Sequence, residues 1–191
     1  HRMIQTIDGL LPDTDYEIML VRANEASETV TFHTEPEPIT LNVRDFGAFG
    51  DGVHDDTSAI QAAILCCPKN ARVLIPKGTY PVTALFLKSD MIMELQENAV
   101  LAGIYDRART PILPGQIEYD NEDGYYNLGS WEGNPIDSFA SMITGIHVKN
   151  VTICGKGVLD GRADFENWWS RPKDKIRAWR PRMIFLNHCE N

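Results

Sequence analysis

Between positions 171 and 182 the chain carries Arg171, Lys173, Lys175, Arg177, Arg180 and Arg182 against one carboxylate, Asp174. Trp168, Trp169 and Trp179 are interleaved with these cations. A guanidinium is a planar fork that grips carboxylates bidentately, and an indole is a flat apolar platform. On a chain of net charge −9, that concentration suits a polyanion built of rings that bear carboxylates, and pectin fits the description. The plainer alternative is a solvated basic loop with its tryptophans packed underneath. By residue chemistry, the candidates for binding such a substrate are Trp131, Trp168, Trp169, Arg180 and Arg182.

Other groups point less clearly to chemistry. Glu118, Asp120, Glu122 and Asp123 form an acidic cluster without the ligand spacing of a calcium loop, so a solvated acidic face is the expectation. Tyr125, Tyr126 and Trp131 either stack on sugar rings or pack their loop against the body of the protein. Asp51, Asp55 and Asp56 lie among and after three glycines, but no Gly-Lys-Ser/Thr completes a phosphate loop; turn and cap are the roles expected of them. The cysteines, Cys66, Cys67, Cys154 and Cys189, lack a C-x-x-C spacing, so zinc is not expected and they read as reduced, small core residues.

The elements that must position these groups can be read in order. Residues 1–35 contain two strand-like stretches, Tyr16–Val21 and Thr29–Thr34, joined by the polar turn Asn24-Glu25-Ala26-Ser27. Pro36 and Pro38 stiffen a short charged linker, placed at 36–41. Asn42–Phe46 alternates in strand fashion, and Gly47, Gly50 and Gly52 supply a turn. A helix then opens, with Ser58 and Gln61 as a capping box and Ile60, Ala63, Ile64 and Cys67 on one buried face. Short apolar runs bounded by turn residues follow: Arg72–Pro76, Ala84–Leu87, Met91–Leu95, Ala99–Ala102, Ile143–Val148, Val151–Cys154 and Met183–Leu186. They read as strands.

Met142–Asn150 aligns with Met183–Asn191, with methionine, isoleucine, histidine and asparagine in register. One solenoid coil plus an insertion produces such an offset. Asn150 and Asn191 would then sit at equivalent turns, where asparagine tolerates left-handed backbone. That turn role also accounts for the glycosylation sequon Asn150-Val151-Thr152. Two irregular stretches, 103–141 and 162–181, interrupt the pattern as long insertions, and such loops on a rigid scaffold tend to carry function.

Three resemblances gather these readings. Gly9-Leu10-Leu11-Pro12-Asp13-Thr14-Asp15-Tyr16 resembles the G-L-x-P-x-T-x-Y run of fibronectin type III domains, which implies the last strands of a β-sandwich over residues 1–35 and a corner hydrogen bond from Tyr16. The run from Asp45 to Ile64 resembles the opening of the pectate-lyase-like superfamily. This implies an all-β, right-handed parallel β-helix over 42–191, with a helix capping its first coil. Gly155-Lys156-Gly157-Val158-Leu159-Asp160-Gly161 with Trp168-Trp169, Asn127–Asn134, and Trp179–Leu186 resemble bacterial members of glycoside hydrolase family 28, the polygalacturonases.

That last resemblance implies hydrolysis of α-1,4-linked galacturonic acid with inversion. One carboxylic acid protonates the leaving oxygen, a carboxylate activates water on the opposite face, and no cofactor is needed. The family's N-T-D and G-H-G signatures are absent; Asp55-Asp56 lies in the opening motif, and Lys175-Ile176-Arg177 reverses R-I-K. The expectation is therefore a segment truncated at both ends that holds none of the catalytic residues. The alternatives are another pectin-acting β-helix enzyme (a rhamnogalacturonan hydrolase or a calcium-dependent lyase) and a non-catalytic saccharide-binding β-helix. Two long insertions lean toward exo action, since extra loops close one end of a groove. Net charge −9 argues against nucleic acid as a partner, and no apolar run is long enough for a membrane span. No signal peptide is visible in residues 1–30, and compartment and oligomeric state stay open.

Overall fold

The structure, a computed structural model, describes residues 7, 9–22, 25–118 and 125–191, with the backbone alone for 22, 25–27, 125 and 126. Backbone contacts divide the chain into units His1–Pro38 and Ile39–Asn191. No helix is long and apolar enough to cross a membrane.

In the first unit, β1 (Asp15–Arg22) and β2 (Glu25–His33) pair antiparallel, with Tyr16 opposite Phe32. The ladder continues to Arg22 opposite Glu25, so Glu25, Ala26 and Ser27 are strand rather than turn. Asn24 lies outside the described residues. The Tyr16 hydroxyl accepts a hydrogen bond from Leu11 N at 2.7 Å.

The second unit opens with β3 (Thr40–Asn42), and then departs from the alternation expected of 42–46. Val43–Phe46 is a 3-10 turn, capped by the Asn42 side chain at one end and by Gly47 in the left-handed region at the other. Val43 and Phe46 are three residues apart, which puts them on one side of a turn of this pitch but on opposite faces of a strand. Helix α1 (Thr57–Cys66) follows and buries Ile60, Ala63 and Ile64, with Cys67 just beyond it. The capping box does not form. Asp56 is the N-cap residue, and its carboxylate turns back to accept from Phe49 N at 2.6 Å and Gly50 N at 3.0 Å. Gln61 leaves the helix end altogether. Its amide donates to Phe86 O and accepts from Phe86 N, and so satisfies the backbone of a neighbouring strand.

That strand belongs to the first coil: β4 (Ala71–Ile75), β5 (Gly78–Val82) and β6 (Leu85–Phe86). The second coil repeats it with β7 (Met91–Leu95) and β8 (Ala99–Gly103). The chain then leaves in six short strands, β9 (Ile112–Leu113), β10 (Gln116–Glu118), β11 (Tyr125–Asn127), β12 (Ser130–Trp131), β13 (Asn134–Pro135) and β14 (Ser138–Phe139). It returns as β15 (Ile143–Ile146), and the third coil holds β16 (Val151–Gly155), β17 (Val158–Asp160) and β18 (Ile184–Asn187).

Equivalent strands of successive coils pair in parallel into three sheets, β3-β4-β7-β16, β5-β8-β17 and β6-β15-β18. This is a three-faced parallel β-helix. Alternate residues point inward, and Val73, Ile75, Leu85, Met91, Met93 and Ile143 stack into one core that α1 closes. The repeat seen in the sequence is the coil register: Ile143 lies opposite Ile184 and Ile146 opposite Asn187. The Asn191 side-chain amide donates to Asn150 Oδ1 at 3.1 Å, and that of Asn150 donates to Asp90 Oδ1 at 2.7 Å. Asn70, Asp90, Asn150 and Asn191 all turn the same corner at positive φ. Three solenoid strands lie outside the runs expected from sequence: Thr40–Asn42, Val158–Asp160 and Gly78–Val82, the last of which carries Pro81.

Candidate functional site

Both insertions leave the solenoid at the same corner, the one between the β5-β8-β17 face and the β6-β15-β18 face. They therefore stack along the axis, although the twenty residues 142–161 separate them in sequence. Ser138 and Trp179 form a parallel bridge, in which Phe139 N donates to Trp179 O at 2.8 Å and Trp179 N to Asp137 O at 2.9 Å. Trp131, at the turn between β12 and β13, lays its ring against Trp179 with centroids 5.5 Å apart and planes 24° from parallel. The Arg180 guanidinium lies 4.2 Å from the centre of the Trp169 ring, and its Nη2 donates to Pro172 O at 3.0 Å. Arg182 is held by its backbone N on Ser141 Oγ, and its guanidinium lies 5.5 Å from the Phe185 ring.

Together Trp131, Trp169, Trp179, Arg180 and Arg182 line a cleft of about 270 Å³. A narrower slot of about 100 Å³ adjoins it, shares Trp169, Arg180 and Arg182, and has Gly103 and Gly161 in its lining. Among the described residues no carboxylate lies within ion-pair distance of Arg180 or Arg182. Both guanidiniums sit against aromatic rings with donor capacity unspent, an environment that favours an incoming carboxylate.

Four of the five residues singled out by the sequence thus meet in one cleft. Trp168 does not offer a platform there. It is 5 % exposed, edge-to-face with Phe139 and Tyr105, and covered by Arg107 at 4.7 Å from its ring centre. The two indoles sit in the hydrogen-bonded turn 165–169 and diverge: Trp169 faces the cleft while Trp168 anchors the insertion in a small core with Phe139 and Ala178. Trp179 was not among the candidates, and its position next to the arginines is the sequence signal that would have included it.

The remaining groups are engaged locally. Asp51 Oδ1 accepts from Val53 N and His54 N, and Oδ2 pairs with His54 Nδ1 at 2.6 Å. Those backbone donors, with the His54 side chain, draw its carboxyl down to about 2. Asp55 accepts from Thr57 and pairs with Arg109. Arg171 pairs with Asp174, and Arg177 donates to Arg107 O. Glu118 ends β10, while Asp120, Glu122 and Asp123 lie outside the described residues. The cysteines are all free; Cys67 is buried, and Cys66 and Cys154 are exposed rather than core residues. Among the described residues no group of His, Cys, Asp and Glu is placed to hold a metal ion.

The family described as Rhamnogalacturonase A/epimerase, pectate lyase-like matches residues 40–153, more than half of the chain. The chain belongs to this family. Along 184 residues it is 35 % identical to the exo-poly-alpha-D-galacturonosidase of Dickeya chrysanthemi, which covers 91 % of this chain and 29 % of that protein. The family 28 exopolygalacturonase of Yersinia enterocolitica superposes with a TM-score of 0.64 at 37 % identity, over 81 % of this chain and 27 % of that one. A hyperthermoactive exopolygalacturonase from Thermotoga maritima gives 0.58 at 29 % identity, over 73 % and 29 %. The chain thus spans under a third of the length of these relatives.

Proposed function

We propose that this chain is the opening of a polygalacturonase-like β-helix hydrolase and supplies part of the groove that grips galacturonan. The reaction is hydrolysis of α-1,4-galacturonosyl linkages with inversion, exo-acting because two insertions crowd one corner of the solenoid. The catalytic acid and base are aspartates other than those in these 191 residues, whose carboxylates in the opening motif hold turns instead. The observation that carries this reading is the cleft: three indoles beside two guanidiniums with which no carboxylate among the described residues pairs. Rings bearing carboxylates match it in shape and charge. The names of the two exopolygalacturonases and of the exo-galacturonosidase support the same substrate.

The test is titration of this chain with trigalacturonate, followed by tryptophan fluorescence. Arg180→Ala should weaken binding about tenfold, the scale of one lost charge-assisted contact, with little loss of stability; unchanged affinity overturns the assignment. In the full-length protein, polygalacturonic acid with EDTA should yield reducing ends and no unsaturated product. The description of the matching family favours a second reading, rhamnogalacturonan as the substrate, and the same assay on that polymer separates the two. We further assign residues 1–35 to the closing strands of a fibronectin type III-like sandwich and 36–41 to a linker. The Tyr16 hydroxyl bonded to Leu11 N supports that assignment.

A further inference from the structure

The first insertion begins with a tight turn. Asp106 Oδ1 accepts from Ala108 N at 2.8 Å and Arg109 N at 3.1 Å, and Asp106 O accepts from Thr110 N at 2.9 Å. This turn aims Arg107 into the second insertion. There its Nη1 donates to Ile176 O at 3.2 Å and its Nη2 to Trp168 O at 3.4 Å. The guanidinium is walled by aromatic rings, with centres 4.7 Å away for Trp168, 5.5 Å for Phe139 and 5.7 Å for Tyr105. The second insertion answers: Arg177 Nη1 donates to Arg107 O at 2.6 Å. No ion pair to Arg107 occurs among the described residues, so two carbonyls, the ring faces and the Tyr105 hydroxyl, which accepts from Nε at 3.4 Å, hold its charge.

The two insertions are therefore tied twice. One tie is the backbone bridge between Ser138 and Trp179; the other is Arg107, which reaches the carbonyls of residues 168 and 176. The stretch from Trp169 to Trp179 runs between these ties, and it is the stretch that carries the cleft's second wall. We propose that Arg107 is a positioning residue, whose guanidinium fixes the second insertion against the first and so sets the Trp131–Trp179 stack that shapes the cleft. A lysine could keep the charge over the rings, but it has no planar fork to span two carbonyls. The step from wall geometry to substrate grip rests on the reading that the cleft binds galacturonan.

Arg107→Met and Arg107→Lys test the inference in the 191-residue chain. Stacked indoles give an exciton couplet in far-ultraviolet circular dichroism, and Trp131→Phe identifies the part that comes from the Trp131–Trp179 pair. The expected result is loss of more than half of that couplet in both Arg107 variants, while the β-sheet signal and a cooperative thermal transition persist. Trigalacturonate should bind about tenfold more weakly, the scale of one lost desolvated cation–π contact. A folded variant with the wild-type couplet overturns the proposal. Should Arg107→Met fail to fold, Arg107→Lys decides; should neither fold, Arg107 is a stabilising residue only and the proposal falls. If the unaltered chain binds no trigalacturonate, the proposed function fails, and the couplet still decides the role of Arg107.

Discussion

The corner lined by Asn70, Asp90, Asn150 and Asn191 and the corner that releases the two insertions belong to the same coils, yet they are built in opposite ways. At the first, every coil turns with an asparagine or aspartate in the left-handed region, and side-chain amides bond from one coil to the next. At the second, the chain departs for different distances and returns, and what stacks is indole on indole and guanidinium on indole. A turn that must repeat leaves room for few residue types. A turn that only has to rejoin the next strand leaves its excursion free to acquire a binding surface.

That contrast can be broken from the regular side first. Gly155 closes β16 at φ +104, and a Cβ there would overlap Leu95 O of the coil below. Gly155→Val should cost about 3 kcal/mol or more, seen as a lower urea midpoint, because both strain and a backbone clash must be relieved. Asn150→Ala comes next, at about 2 kcal/mol, since it puts alanine at φ 54 and removes two ladder hydrogen bonds. A midpoint unmoved by this change would mean that the ladder decorates the corner without holding it. On the irregular side, Arg180→Ala should reverse the pattern, with stability altered by less than about 0.5 kcal/mol but trigalacturonate affinity reduced.

The smallest effect expected is on acid stability. The Asp51 carboxyl falls from 3.8 to about 2 on folding, so its contribution is complete above 3.8 and is lost as the pH drops through about 2. Asp51→Asn should flatten the fall in unfolding midpoint across that window. An equally steep fall in the variant would remove Asp51 from the account.

The two corners also explain what could be read from sequence. Half of the ladder corner was legible, because Asn150 and Asn191 are equal residues in the alignment that sets Ile143 opposite Ile184, whereas Asn70 and Asp90 stand outside that repeat. Seven of the solenoid strands were legible as short apolar runs, but Gly78–Val82 was hidden by its proline, and Thr40–Asn42 and Val158–Asp160 are too short to show a pattern. Helix α1 was legible in its buried face and not in its cap, since Gln61 answers to a strand some 25 residues on, which no local pattern encodes. In the insertions, composition told which residues could bind a uronic acid but not which way each ring turns. Trp168 and Trp169 are neighbours of one type, and only the packing of Phe139, Tyr105 and Arg107 assigns the first to a core and the second to a cleft.

The ladder has one more consequence, for the life of the chain before it is a solenoid. Asn150 heads an N-x-T sequon, yet its Nδ2 donates to Asp90 and its Oδ1 accepts from Asn191. A glycosyltransferase needs that nitrogen free. Stacking of the coils therefore commits one hydrogen of that nitrogen to Asp90 and its partner oxygen to Asn191, and holds in the ladder the amide that such an enzyme must engage.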